Sequence, residues 1–472
     1  MLKYVSSSSM PINFLFKFLH ATPVVPEPIV KSKTNLNGFF SGKMEKNKEP
    51  GLWTITFSQV TTWIFSRSLL TAAILAFYYG LPGAIAYTTY YLSFLTGGYF
   101  VLKIRKKYNA TSLVSFFTKE YGSLGKITYS FLAVLRLVSE IFANLIVVGL
   151  IFGSEKSLNY NLAILLTMGI AFSYSITGGF RNSIKTDFIQ TIIFLLLMII
   201  LLFTISTSLF DQNITNINLK LTDYANNPAY ALIFVALLQV WSYPLHDPVM
   251  MDRGFVCSEQ KTKKSFIYAC LISTTCIFLF ACLGIILSSE VIESVSFIES
   301  LQIFYGEPTS TIICLLLIVS SISTLDSTLS SSAKLVVMDL KLLKKNIFNG
   351  RLIMFLFMLL GLVFILLNTK DLFTAVAVSG TAATFLTTTF VLRAIFDYKI
   401  SKESLLFSFI LSIAGSILYY LESQGINNFF SDYFNIDHKY KTLLAINLFI
   451  IGASFASAFS LVKYKNRKYK FN

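Results

Sequence analysis

Charge is in short supply in this sequence. Asp, Glu, Lys and Arg make up 13% of its 472 residues, roughly half the share in a soluble chain, while hydrophobic residues make up 54%. The mean hydropathy of +0.66 agrees, and together these values exclude a soluble multi-domain protein. Histidine is scarcer still: three in the whole chain leave little room for a metal centre. The five cysteines (Cys257, Cys270, Cys276, Cys282, Cys314) form no CxxC pair. Four lie in apolar stretches, which reads as small packing residues rather than ligands or bridges.

What is present is length after length of apolar residues. From Leu52 onward the pattern predicts an all-α integral membrane protein with about twelve crossing helices. They lie near 52–78, 82–103, 126–153, 160–178, 187–210, 228–251, 265–288, 311–338, 351–368, 371–395, 404–421 and 442–462. Residues 1–50 read as a cytoplasmic tail, 51–463 as the membrane domain and 464–472 as a basic cytoplasmic end. The apolar patch from Phe14 to Leu19 is too short to span and contains Lys17. Alternate loops are basic: Arg105, Lys106 and Lys107; Arg181 and Lys185; Arg253, Lys261, Lys263 and Lys264; Lys341, Lys344 and Lys345. The opposite loops carry Asp211, Asp223, Glu290, Glu293, Glu422 and Asp432 instead. By the positive-inside rule both termini are cytoplasmic, in a plasma or inner membrane. The same placement accounts for the net charge of +15 without nucleic acid as a partner.

Two of the spans are poor helices. The first has Ser58, Gln59, Thr61 and Thr62 near its middle and Arg67 further out; the sixth contains Pro244 and Pro248 beside Tyr243, His246 and Asp247. Proline removes a backbone donor and stops regular helix. Interrupted spans five helices apart point to an inverted five-helix repeat, helices 1–5 and 6–10 with two more, as in the LeuT fold, with its site at the unwound midplane.

The eighth span is the most unusual. Within 311–340 stand Ser320, Ser321, Ser323, Thr324, Asp326, Ser327, Thr328 and Ser330 to Ser332. In hydrocarbon such groups need partners, and a carboxylate is costly. Close helix packing is the plain reading of any one serine; the cluster around Asp326 reads as the lining of an ion or solute site.

Three stretches resemble the sodium/solute symporter family, which includes the sodium–proline and sodium–glucose symporters. They are Phe57-Ser58-Gln59-Val60-Thr61 with the Gly80-Leu81-Pro82-Gly83 turn, Gly178-Gly179 followed by Thr186-Asp187 and Gln190, and Ser323-Thr324-Leu325-Asp326-Ser327. The resemblance implies alternating access without covalent catalysis, and a Na+ site on the carbonyls of Phe57, Val60 and Ser320 and the hydroxyls of Ser323 and Thr324. Sodium, a hard cation, can be held by about five or six such uncharged oxygens. Hydroxyls bonding back to i−4 carbonyls are the plain alternative.

Around that site, Asp187, Arg136 and Glu140 read as a polar ion route. Arg136 and Glu140, at i and i+4, can equally neutralise each other, and Asp187 can be a helix cap. Gln59, Trp63, Arg67, Tyr243, His246 and Asp247 read as solute contacts or gate, Tyr243 falling where sugar-transporting relatives place an aromatic gate. The expected partners are a small organic solute and membrane lipid. Two other functions stay open: proton coupling through Asp247, His246 or Asp326, and an enzyme using His246 and Asp247 as an acid–base pair.

Overall fold

The structure, a computed structural model, describes residues 35–211, 219–222, 224, 226–288, 297–366 and 372–468. The patch at Phe14–Leu19, Asp223, Glu290, Glu293 and the last four residues fall outside the described residues. No strand occurs among those described.

The chain enters through α1 (Leu36–Ser41), capped by Asn35, whose Oδ1 accepts from the Gly38 amide at 2.7 Å. The first crossing is made by α2 (Leu52–Trp63) and α3 (Ser66–Thr89), separated by the non-helical residues Ile64 and Phe65. At Gly80 the backbone takes φ +66°, which a Cβ disfavours, and the chain doubles back. A Cβ on Gly83 would come within 2.1 Å of the Leu75 carbonyl. After a single 3-10 turn, α4 (Ser93–Tyr108) completes the second crossing, and α5 (Leu113–Phe152) opens on a capping box of Ser112 and Ser115. Next comes α6 (Leu158–Asp211), 54 residues. Straight, it would run about 80 Å against a hydrocarbon core of about 30 Å. Gly179, at φ +56°, divides it into two crossings.

The sixth crossing is broken into α7 (Ala229–Gln239), a 3-10 turn at Tyr243–His246, extended Asp247, and α8 (Pro248–Arg253). Beyond it lie α9 (Glu259–Leu287), α10 (Phe297–Ala333) running into a π-helical turn at Lys334–Asp339, and α11 (Ile347–Leu366). The tenth crossing is α12 (Leu372–Ala383) and α13 (Phe385–Thr388) with a second π-helical turn at Thr389–Ile395. Last come α14 (Lys402–Ser423), the short α15 (Phe429–Tyr433) and α16 (Lys439–Lys468). Among the described residues nine helices are long and apolar enough to cross a membrane. Opening out the two that turn at Gly80 and Gly179, and adding the interrupted α7–α8 pair, gives the twelve crossings implied by the sequence.

The distribution of side chains is that of a protein in lipid. Ile199 and Phe203 on α6 are 63% and 70% exposed, while Arg67, Arg136, Arg253, Glu140, Asp187, Asp247 and Asp326 are all fully buried. Apolar side chains face outward because lipid solvates them, and ionisable ones face inward where they find partners.

Residues 35–50 form a docked segment. Phe39 is buried against the Gly179 turn and Phe40 against Gly350 of α11, and the Arg181 guanidinium donates to the Lys43 carbonyl at 2.5 Å and to Asn35 Oδ1 at 2.9 Å.

Small residues set the helix spacing where α9 meets α3. A Cβ on Gly284 would lie 1.9 Å from the Ala73 carbonyl oxygen, which is rigid backbone. Gly284→Val should therefore force the two helices apart, at a cost of about 1–3 kcal/mol or more. The check is a lower unfolding temperature and a smaller monodisperse yield than for Gly452→Val, since nothing lies within 4 Å of a Cβ at Gly452.

Candidate functional site

Two buried charge clusters lie at the two broken crossings. The first gathers around Asp247, which the prolines on either side hold out of helix. Its Oδ1 accepts from the Met250 amide at 3.1 Å, capping α8. Its Oδ2 accepts from Trp63 Nε1 at 2.8 Å and from Arg136 Nη2 at 2.9 Å, and Arg136 is also ion-paired to Glu140 one turn along α5. The Arg136 guanidinium lies over the rings of Tyr243 (5.3 Å) and Phe65 (5.4 Å). Trp63 meets Tyr243 edge-on at 5.7 Å. His246 bonds Ser379 through Nε2 at 3.0 Å and the Tyr243 carbonyl through Nδ1 at 2.5 Å. Each buried charge but one is thus compensated. The exception is Arg67, whose three guanidinium nitrogens have no hydrogen-bond partner among the described residues. Gln59 is buried with its amide likewise unpartnered.

The second cluster surrounds Asp187. Its carboxylate accepts from Ser58 (2.5 Å), Ser323 (2.9 Å), Ser327 (3.1 Å) and Arg253 Nη2 (2.9 Å). Arg253 also donates to Ser58 Oγ at 2.7 Å, Ser327 Oγ at 2.8 Å and the Val249 carbonyl at 2.7 Å. Close by, Asp326 accepts from Ser175 at 2.6 Å and Thr186 at 3.0 Å.

The residues expected around a cation are engaged in the following way. Ser323 donates to Asp187, Thr324 donates back to the Ser320 carbonyl at 2.9 Å, and Ser320 Oγ donates to the Ile64 carbonyl. The Phe57 carbonyl accepts from Thr191 Oγ1 at 2.8 Å and the Val60 carbonyl from the Ile64 amide at 3.0 Å. The expected location of the first break needs correcting: α2 is continuous through Phe57–Thr62, and unwinding begins at Ile64. Phe57 and Val60 therefore sit in the last turns of a helix and not on unwound backbone. The break is held open by Ser320 on the Ile64 carbonyl, by Tyr91 on the Trp63 carbonyl (2.7 Å) and by Ser321 on Ser66 (2.6 Å).

This architecture has known counterparts. A Na+-coupled sialic acid symporter, solved substrate-bound and outward-open, superposes with a TM-score of 0.67 at 17% identity, over 95% of this chain and 97% of that one. A nucleobase-cation-symport-1 family transporter, solved closed with bromovinylhydantoin bound, gives 0.51 at 11% identity, over 90% and 97%. The chain shares their fold. No family model matches the sequence, and no curated protein does.

Asp187, Arg136 and Glu140, grouped by sequence as one route, are divided by the structure: Arg136 and Glu140 join Asp247 and Trp63, while Asp187 stands with Arg253. The sequence reading missed Arg253 by counting it with the basic loops, although it is fully buried. The signal was its position six residues past Asp247, too close to the break to be clear of the membrane. Also missed was a hydrogen-bond chain from Tyr90 to Gln239 (2.9 Å), on to Asn447 (3.0 Å) and then to Thr384 (2.9 Å), which ties the 3-10 turn after α3, and α7, to the tenth and last crossings.

Proposed function

We propose that the chain is a secondary transporter that couples inward Na+ flow to uptake of a small organic solute by alternating access. The observation that carries this reading is the meeting of two interrupted crossings at buried, ion-paired polar clusters, in a fold shared with two symporters of known structure. Interrupted helices expose backbone groups at membrane depth only where they line a site. The Na+ ligands on this reading are the Phe57, Val60 and Ser320 carbonyls with the Ser323 and Thr324 hydroxyls, and Asp187 draws cations toward them. Gln59, Trp63, Tyr243, His246 and Asp247 form the solute side, Tyr243 as its gate. Both termini face the cytoplasm.

Thr324→Ala should raise the Na+ concentration needed for half-maximal uptake about tenfold, one charge-assisted oxygen being worth about 1.4 kcal/mol. Proteoliposomes loaded against graded external Na+ give that number. An unchanged Na+ requirement removes Thr324 from the ligand set.

One observation favours a second reading, proton coupling. The Arg253 guanidinium already lies among Ser58, Ser327 and Asp187, supplying a positive charge where Na+ would otherwise supply it. Asp326, held only by hydroxyls, is then the carboxylate free to carry a proton. Uptake driven by an imposed pH gradient in Na+-free buffer selects this reading. The acid–base enzyme loses its geometry, because His246 and Asp247 spend their polar atoms on different partners.

A further inference from the structure

The break in the first crossing is lopsided in its hydrogen bonding. On the carbonyl side, the oxygens of Trp63 and Ile64 are taken by Tyr91 and Ser320. On the amide side, no side chain caps α3, whose N-cap is Phe65. The first amides of a helix have no intrahelical acceptor and carry the positive end of its dipole. The second residue of α3 is Arg67, and helical side chains lean toward the N-terminus. Its guanidinium accordingly lies over the ring of Phe65, the N-cap residue of the same helix, 5.5 Å from the centroid.

Arg67 is fully buried and lacks any hydrogen-bond or ion-pair partner among the described residues. A guanidinium has five donors, no acceptor and a permanent charge. Burying one without an anion costs several kcal/mol. The Glu140 carboxylate is already ion-paired to Arg136. Arg136 itself shows what the alternative looks like: two carboxylates and two ring faces. The Arg67 end of the break thus presents, among the described residues, a guanidinium without a partner and a helix start that no side chain caps.

We infer that the solute is an anion, and that its carboxylate docks between the Arg67 guanidinium and the uncapped amides at the start of α3, with Phe65 as the floor. This rests on the transporter reading for the word solute, but the binding site stands on its own geometry. A planar oxyanion accepts two parallel guanidinium hydrogen bonds, and half-helix N-termini suit the same group. A neutral sugar, polyol or amide could also offer acceptor oxygens, but it brings no negative charge to balance the buried guanidinium.

The test uses the purified full-length chain in detergent. Thermal unfolding is followed with acetate, lactate, pyruvate and benzoate at millimolar concentration, each beside its neutral amide, for wild type, R67Q and R67K. The expected result is stabilisation by at least one carboxylate and not by its amide. That stabilisation should weaken about tenfold or more in R67Q and be partly kept in R67K, which retains the charge but loses the planar fork. R67K also answers the question if R67Q does not fold, because an unweakened carboxylate response in it removes the fork from the site. Equal responses to acid and amide, an unchanged response in R67Q, or no response to any carboxylate overturn the inference. Counterflow of the same solutes in proteoliposomes keeps the two readings apart. Carboxylate binding without transport sinks the transporter and leaves the site, whereas transport of a neutral solute by R67Q does the reverse.

Discussion

Asp187→Ala should be among the most damaging single substitutions in the chain, costing about 3–5 kcal/mol of stability. The reason is the charge it leaves behind. Arg253 is fully buried, and Asp187 is its ion-pair partner at 2.9 Å. Removing one member of a buried pair strands the other, which costs more than removing both. Ser58, Ser323 and Ser327 lose an acceptor in the same step. The double variant Asp187→Ala/Arg253→Ala should therefore recover much of the loss, with a coupling of about 2–3 kcal/mol in the cycle. Unfolding temperatures of wild type, both single variants and the double provide the measurement. If the double variant is as unstable as the sum of the singles, the pair carries no special energy.

Asp247 makes the second strong prediction, and here two variants separate charge from hydrogen bonding. Asp247→Ala removes the α8 cap, the Trp63 acceptor and one of the two counter-charges of Arg136. A cap is worth about 1 kcal/mol and the orphaned indole N–H about 1–3 kcal/mol. With the charge term added, the loss should exceed about 3 kcal/mol. Asp247→Asn can keep the cap and one acceptor while dropping the charge, so it should fold markedly better than the alanine variant. Uptake should fall in both to below about a hundredth of wild type, because Trp63, Arg136 and Tyr243 are positioned through this carboxylate. Asn-variant protein as unstable as the Ala variant would show that charge balance dominates. Near-normal uptake in either variant would take Asp247 out of the proposed solute site.

The sequence made the crossings legible because a bilayer imposes one length and one polarity, so 20-residue apolar runs can hardly mean anything else. The break at the sixth crossing was legible because Pro244 and Pro248 act locally, through a missing donor. The first break was misplaced by several residues for the opposite reason. Ile64 and Phe65 are ordinary helix residues, and what opens the backbone there is Ser320, Tyr91 and Ser321 reaching in from other helices. Arg136 and Glu140 could be paired from their i, i+4 spacing. That Asp247, 111 residues away, completes the group could not. Arg253 was misread because a cation at the end of a span counts as topology until its burial is seen. The docking of residues 35–50 had no sequence signal either, since Phe39 and Phe40 find their seats against two glycines far along the chain, Gly179 and Gly350.

One helix of six residues joins these findings. Asp247 stands at the start of α8 and Arg253 at its end, and each is pinned to a different set of neighbours. Over about 9 Å such a helix neither stretches nor bends appreciably. It is a short rigid strut, and α2 lies alongside as a second one, carrying Trp63 in one cluster and Ser58 in the other. Two compartments of the protein that share no side chain are in this way yoked twice through backbone.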